Sequence, residues 1–272
     1  MTQRFENTFA KLEKLNEGAF MPFVSLCDPN FDTSLEILKT VIDSGADALE
    51  LGFPFSDPSA DGPVIQQSDK RALNSGANTD DFFKIIKKMR EYNNEIPVSI
   101  LVYANVVLAR GINKFYKDAA DAGIDAVLIP DIPCNMLNTC EDFEKCAKQN
   151  DVDLVLIAPP NASEETIKTI CSKSKGYTYV VSRFGITGTD SESGYPVKII
   201  ETVKKNKGPA PVLGFGISKP EHVKAAIKAG AKGAISGSAV VKIIGNNLDN
   251  TDKMKSEISS FIKSMKKATK QY

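Results

Sequence analysis

The chain has 272 residues, of which 42% are apolar, and its 34 basic residues balance its 34 acidic residues. A chain of this length can bury a large core, and its neutral balance excludes a general electrostatic surface for nucleic acid or an anionic membrane. We therefore predict one domain over residues 1–272, and we expect any phosphate site to be local.

No apolar run approaches the roughly 20 residues that span a bilayer, and the first residues lack the apolar core of a signal peptide. Five cysteines without a Cys-x-x-Cys pair favour reduced thiols over a disulfide frame or a zinc site. We expect a cytoplasmic protein without a metal.

The single histidine, His222, is expected to be an exposed residue in the first turn of a helix that Ser218 caps. Ser-His-Asp catalysis and multi-histidine metal sites are then improbable.

In chain order, the first predicted element is a helix from Thr2 to Leu15, whose apolar side could cover the bottom of a barrel. From Ala19 the pattern alternates between strand and helix eight times. The predicted strands are Phe20 to Leu26, Ala48 to Phe53, Val98 to Ala104, Ala126 to Ile129, Leu154 to Ala158, Tyr177 to Ser182, Val212 to Phe215 and Ala234 to Ser236.

A short repeat supports this alternation. Glycines at 45, 123 and 230 each end a predicted helix just before a buried strand, which is typical of a left-handed helix cap. Eight strands alternating with helices predict a single (β/α)8 TIM barrel with an extra N-terminal helix. A doubly wound open sheet is the alternative fold.

Two carboxylates stand out in the second strand and the loop after it. Leu49 and Leu51 alternate with Glu50, so in a barrel the leucines would face the helices and Glu50 the interior. Asp61 follows in a stiff loop rich in proline and glycine. The two acids could therefore face one cavity, although Asp61 before a glycine is also an ordinary turn residue.

The last two strands end in glycine-rich turns at Gly214 to Ser218 and Ser236 to Ala239. Such turns at neighbouring strand ends of a barrel predict a phosphate site, the alternative being glycines that serve only the turns. The small, polar loop from Arg183 to Gly194 is typical of a lid, or else of a disordered connector. Aromatic residues at strand positions could line an apolar slot beside the phosphate, although each could equally be a core residue: Phe23, Tyr103, Tyr179 and Phe215.

Several of these segments, in the same order along nearly the whole chain, resemble the tryptophan synthase alpha chain family. The matching segments are Leu49 to Gln66, Tyr103-Ala104-Asn105, Pro159 to Ala162, Gly176 to Tyr179 with Ser182-Arg183, Gly185 to Gly188, Gly214 to Ser218 and Gly233 to Ser238. The resemblance implies retro-aldol cleavage of indole-3-glycerol phosphate to indole and glyceraldehyde 3-phosphate. It assigns the acid/base role to Glu50, and to Asp61 the stabilisation of the protonated indole.

The same resemblance implies the remaining binding residues. The phosphate cradle falls on Gly188, Gly216, Gly237 and Ser238, and Thr187 would meet Asp61 when the lid closes. The indole pocket falls on Phe23, Leu101, Leu128, Ile157, Tyr179 and Phe215.

The family also implies a partner, a β subunit that carries pyridoxal phosphate and forms an α2β2 assembly, with Pro54 to Asp57 as the docking segment and no cofactor in this chain. Two departures from the family pattern are Cys27, where glycine is common, and Ser59, where an aliphatic residue is common. The first puts the turn after strand 1 in doubt, and the second bears on partner affinity. Alternatives are a stand-alone lyase, another phosphosugar enzyme such as an epimerase or isomerase, and a catalytically silent allosteric barrel.

Overall fold

The computed structural model describes residues 3–137, 141–181 and 196–270, and it contains all eight predicted strands. They are β1 (Ala19–Ser25), β2 (Leu49–Gly52), β3 (Val98–Leu101), β4 (Ala126–Leu128), β5 (Asp153–Ala158), β6 (Tyr177–Val181), β7 (Ala210–Gly214) and β8 (Gly233–Ser236). Each strand pairs in parallel with the next, and β8 pairs with β1. The sheet is a closed barrel, which confirms the predicted fold and excludes the open doubly wound sheet.

Helices follow the strands around the outside of the barrel. They are α1 (Arg4–Lys14), α2 (Phe31–Asp43), α3 (Pro63–Asn74), α4 (Thr79–Tyr92), α5 (Ala104–Arg110), α6 (Ile112–Asp121), α7 (Glu141–Gln149), α8 (Glu164–Lys173), α9 (Val197–Lys205), α10 (Pro220–Lys228), α11 (Ser238–Gly245) and α12 (Thr251–Lys267), with a 3₁₀ turn at Cys134–Met136. Within the described ranges, none of these helices is long and apolar enough to cross a membrane.

Side-chain alternation along the strands divides the core into two layers. Leu49 and Leu51 pack outward in the cluster beneath the helices. Their neighbours on the other face of each strand point into the barrel, where Phe23, Leu128 and Tyr177 belong to a second cluster. The prediction that the leucines face outward, with Glu50 inside, is confirmed.

The N-terminal helix covers the bottom of the barrel, as predicted. Phe5 of α1 is buried, and its ring centroid lies 5.3 Å from that of Tyr177 inside the barrel. Leu12, two turns later on the same side of the helix, is also buried. Burial of these side chains supplies the hydrophobic free energy that holds α1 in place. The functional end is therefore the opposite one, where the strands finish.

Backbone conformation at the turns agrees with the glycine repeat and explains one departure. Gly45, Gly123 and Gly230 have φ angles of 97°, 81° and 98°, as expected for left-handed helix caps. Cys27 has φ 60°, the region that glycine favours, and its backbone N–H donates to the Ser34 hydroxyl at 3.0 Å. The turn that glycine favours is therefore kept, with a buried cysteine in a strained conformation.

The start of α10 differs from the prediction. Lys219 is the N-cap and makes no side-chain cap bond, so the prediction of Ser218 as the cap is wrong. The reason is Pro220, which forces the preceding residue out of the helical region and moves the helix start forward by one position. His222 is half-buried rather than exposed, and its Nδ1 accepts a hydrogen bond from the Ser218 N–H at 3.3 Å.

Charged groups at the N-terminal end of the barrel are paired. The Asp125 side chain, fully buried before β4, accepts hydrogen bonds from the guanidinium groups of Arg4 and Arg90, each at 2.7 Å. It also accepts one from the backbone N–H of Val98 at 2.8 Å. Because removing one partner leaves a buried charge uncompensated, this cluster should contribute strongly to stability.

We expect Asp125→Ala to lower the free energy of unfolding by about 3–5 kcal/mol, because Arg90 then keeps a buried charge without its carboxylate. Urea unfolding followed by circular dichroism measures the change. The control is Asp121→Ala, which breaks the exposed pair with Lys117 and should leave the urea midpoint unchanged. Equal urea midpoints for Asp125→Ala and the wild type would contradict a strong contribution of the Asp125 ion pairs to stability.

Candidate active site

Glu50 lies inside the barrel with 1% of its surface exposed. It sits on β2 between Phe23 of β1 and Ser99 of β3. The Tyr177 hydroxyl, on the far side of the lumen, lies 3.1 Å from Glu50 Oε1 and 3.1 Å from Ser99 Oγ. A phenol has one hydrogen, so Tyr177 donates to an ionised Glu50 and accepts from Ser99.

Burial controls the protonation of this carboxyl. The pKa of Glu50 is raised to about 8: burial raises it most, the hydrogen bond from Tyr177 opposes this rise, and the charge of Asp61 adds to it. Glu50 is therefore mostly protonated at neutral pH. A neutral carboxyl group whose pKa is close to the ambient pH can both give and take a proton.

Asp61 lies in the loop between β2 and α3, where Tyr103 positions it. The Tyr103 hydroxyl donates to Asp61 Oδ2 at 2.7 Å and accepts the backbone N–H of Ala60 at 2.9 Å. Burial raises the pKa of Asp61, and the Tyr103 hydroxyl opposes the rise. The charge of Asp61 acts on the pKa of Glu50, so the loop brings the second carboxyl group near the first.

Five of the six predicted pocket residues form one apolar cluster at the mouth of the barrel: Phe23, Leu101, Leu128, Ile157 and Tyr179. The sixth, Phe215, is 39% exposed, and its ring stands edge-on to that of Tyr179 with 6.4 Å between centroids. Two glycines make room for these rings. A Cβ atom at Gly52 would overlap the Phe23 ring, and a Cβ atom at Gly214 would overlap the Tyr179 hydroxyl. These side chains form an apolar cluster around Glu50, with Phe215 at its exposed side.

The two glycine-rich turns lie side by side. The buried Ser236 hydroxyl donates to the Ile217 carbonyl at 2.6 Å, which joins the turn after β7 to the end of β8. Gly216 has φ 74°, and Gly237 is the N-cap of α11. The first N–H groups of a helix have no partner within it and attract anions, so Ser238 at the start of α11 is placed to meet a phosphate.

Some predicted site residues lie outside the described residues, and two residues of the site were not predicted from the sequence. Thr187, Gly188 and the rest of the predicted lid lie outside the described residues. Tyr177 and Ser99 received no role from the sequence, although alternation with Tyr179 along β6 puts Tyr177 on the inward face. No group of three or more His, Cys, Asp or Glu side chains that could hold a metal occurs in the part of the chain that the structure describes.

A closed eight-stranded parallel barrel, with two carboxyl groups and an apolar cluster at the C-terminal end of its strands, defines a TIM-barrel protein with a candidate acid/base site. The sequence model of the tryptophan synthase alpha chain family matches residues 9–270. The tryptophan synthase alpha chain of Francisella tularensis is 52% identical over 270 residues, 99% of each chain. That of Haemophilus influenzae is 49% identical over 269 residues, 98% of this chain and 99% of the other.

Solved structures agree with the sequence comparison. A chain from the tryptophan synthase α2β2 complex of Pyrococcus furiosus superposes with a TM-score of 0.83 and 32% identity, covering 92% of this chain and 98% of that one. The present chain belongs to the tryptophan synthase alpha chain family.

The raised pKa of Glu50 predicts that Glu50→Gln stabilises the protein at alkaline pH. Below pH 4.5 Glu50 is neutral in both states; above it, the unfolded chain loses a proton that the folded chain keeps up to about pH 8. The wild type therefore loses stability as the pH rises through this window, whereas the variant does not. We expect the variant to be more stable by about 3–5 kcal/mol above pH 8 and by little at pH 4.5. Urea unfolding at both pH values measures this, and a difference that does not depend on pH would contradict the buried neutral carboxyl.

Proposed function

We propose that this chain cleaves indole-3-glycerol phosphate to indole and glyceraldehyde 3-phosphate by a retro-aldol reaction. Glu50 supports this proposal most strongly, because it offers a protonated carboxyl group next to an apolar cluster and near a second carboxylate. Membership of the tryptophan synthase alpha chain family supports the same substrate. The reaction breaks one carbon–carbon bond with two proton transfers, both of which a single carboxyl group can carry out.

Glu50 acts first as an acid. It gives its proton to indole C3, because a bare indole carbanion is a poor leaving group and a protonated C3 is a good one. The bond between C3 and the glycerol chain then breaks, its electron pair returns to the ring, and the adjacent hydroxyl becomes a carbonyl. That hydroxyl proton passes to the Glu50 carboxylate, which restores the acid. Tyr177 stabilises the carboxylate in between, since its hydroxyl lies 3.1 Å from Oε1.

Asp61 stabilises the charge that appears on the ring. Protonation at C3 makes the indole cationic, and a carboxylate that accepts the ring N–H lowers the free energy of this intermediate. Tyr103 and the Ala60 N–H hold the loop in position for that contact. Asp61 must be ionised for this role while Glu50 is protonated. Glu50 is more deeply buried than Asp61, and burial favours the protonated form, so the difference in burial favours this assignment of charge.

The rest of the substrate is bound by the mouth of the barrel. We assign the indole ring to the slot between Phe23, Leu128 and Tyr179, with Phe215 at its open side. The phosphate would lie at the turns of Gly216 and Gly237, against the N–H groups at the start of α11. A lid that includes Thr187 and Gly188 stays a prediction.

We also propose that the chain works with a β subunit in an α2β2 assembly, as in the Pyrococcus furiosus complex. The docking segment would be Pro54 to Asp57, of which Ser56 and Asp57 are exposed, with Ser59 beside it. Pyridoxal phosphate is expected in the partner, not in this chain. Cytoplasmic localisation stays part of this proposal, on the ground that the family is biosynthetic.

Indole release from indole-3-glycerol phosphate by the purified chain tests the proposal. We expect slow release that rises strongly when a tryptophan synthase β subunit is added, because the partner contacts the loop that carries Asp61. Glu50→Gln should lower the rate about 10²–10⁴-fold in both conditions while the variant still binds glycerol phosphate, since only the proton transfer is lost.

The matched control is Glu165→Gln, which changes the same group on the exposed face of α8 and should leave the rate unchanged. Fast release that the β subunit does not alter would favour a stand-alone lyase. No release by the wild type in either condition would overturn the proposed activity and favour a silent barrel or another phosphosugar enzyme.

A further inference from the structure

The peptide unit between Tyr103 and Ala104 is held from both sides at the start of α5. The Ala104 N–H donates to the Asp131 carboxylate, at 3.0 Å from one oxygen and 3.3 Å from the other. On the other side of the same peptide unit, the Tyr103 carbonyl accepts the N–H of Val106 at 3.0 Å. The orientation of this peptide plane is therefore fixed in part by an acid that lies 27 residues later in the chain.

Helix α5 receives its N-terminal cap from another loop. Tyr103 is the N-cap residue and makes no side-chain cap bond, and the first turn of this helix contains no acidic residue. An N-cap residue is usually Ser, Thr, Asp or Asn, whose side-chain oxygen accepts one of the free N–H groups. Asp131 supplies that acceptor from the loop after β4, and its negative charge is favourable at the start of a helix.

A tight turn after β4 sets the position of Asp131. The Ile132 N–H donates to the Ile129 carbonyl at 3.3 Å, with Pro130 and Asp131 between them. A proline at the first central position of such a turn fixes the φ angle and stiffens the turn. Strands β3 and β4 are neighbours in the barrel, so this turn lies beside the start of α5. The carboxylate is therefore presented to Ala104 from a rigid support.

The side chain of Tyr103 connects this peptide unit to the loop after β2. Its hydroxyl donates to Asp61 Oδ2 at 2.7 Å and accepts the Ala60 N–H at 2.9 Å. Its ring stacks on that of Phe55, with 5.4 Å between centroids and 29° between planes. Because Tyr103 is 2% exposed and held at both ends, a rotation of its backbone would move the hydroxyl away from Asp61.

We propose that Asp131 is a positioning residue of the active site, which fixes the Tyr103–Ala104 peptide unit and thereby directs the Tyr103 hydroxyl to Asp61. This inference rests on the proposed lyase activity. The loops after β2, β3 and β4 take part, whereas the phosphate turns follow β7 and β8. Loss of the Asp131 carboxylate therefore loosens the contact of Asp61 with the indole N–H and leaves phosphate binding unchanged.

Two substitutions and a control test this role in the purified chain without a β subunit, so that docking does not affect the result. Asp131→Ala should lower kcat about 3- to 10-fold with KM unchanged, because loss of a cap shifts the equilibrium of a helix end by a factor of this order. Asp131→Asn keeps an oxygen that accepts the Ala104 N–H, so it should retain most of the wild-type kcat. The control is Asp249→Ala, which removes an exposed carboxylate between α11 and α12. All three variants should bind inorganic phosphate with unchanged affinity.

A double-mutant cycle with Tyr103 separates positioning from a merely structural role. Tyr103→Phe removes the hydroxyl and keeps the ring, and it should lower kcat at least as much as Asp131→Ala does. If Asp131 acts through that hydroxyl, Asp131→Ala should lower kcat no further in the Tyr103→Phe background. A full additional loss in the double variant, or wild-type kcat in either single variant, would overturn the role of Asp131. A loss in Asp131→Asn as large as in Asp131→Ala would overturn it as well.

Amide hydrogen exchange of Ala104 and Ala60, followed by NMR, gives a readout that does not depend on activity. Both amides should exchange faster in Asp131→Ala than in the wild type, and neither should change in Asp131→Asn or Asp249→Ala. Faster exchange of Ala104 alone would show that Asp131 only caps α5, and it would refute the positioning of Tyr103. A wild type that releases no indole but shows the expected exchange pattern would refute the proposed activity and leave the positioning in place.

Discussion

The carboxyl group of Glu50 lies inside a closed barrel, where it has almost no contact with water. Desolvation favours its neutral form, so the group that we propose as the proton donor holds its proton at neutral pH. The surrounding features follow from this constraint. Tyr177 is hydrogen-bonded to Glu50 and Ser99 in the lumen, an apolar cluster surrounds the carboxyl group, and Asp61 approaches from a loop rather than from a strand.

The buried carboxyl groups of the barrel have two kinds of partner. At the N-terminal end, Asp125 is paired with Arg4 and Arg90, and Lys266 bridges Asp47 and Glu17 at 2.9 Å each. At the C-terminal end, Asp28 is paired with Arg71, whereas Glu50 and Asp61 are hydrogen-bonded to tyrosine hydroxyl groups. A cationic partner would favour the ionised form of Glu50, whereas a neutral donor opposes the effect of burial less strongly. The two carboxyl groups of the candidate site thus differ from the ion-paired ones in having neutral donors.

Much of the fold could be predicted from the sequence because strands buried on both faces are short apolar runs with clear glycine boundaries. Helix α3 was not predicted, since its buried stripe contains Ser68 and Asp69 and so lacks a clear apolar period. The contacts of Glu50 could not be read either, because Tyr177 is 127 residues away and meets it only when the barrel closes. The pairing of Glu50 with Asp61 could be predicted from strand alternation and from the family resemblance.

Infrared titration of the Glu50 carboxyl tests the central claim most directly. A protonated carboxylic acid has a C=O stretch that a carboxylate lacks, and subtracting the spectrum of Glu50→Gln isolates the contribution of this one group. The account predicts a protonated Glu50 band that persists at pH 7 and disappears around pH 8. A band that is already absent at pH 6 would show that Glu50 is ionised in the folded protein, and it would contradict its role as the acid that protonates indole.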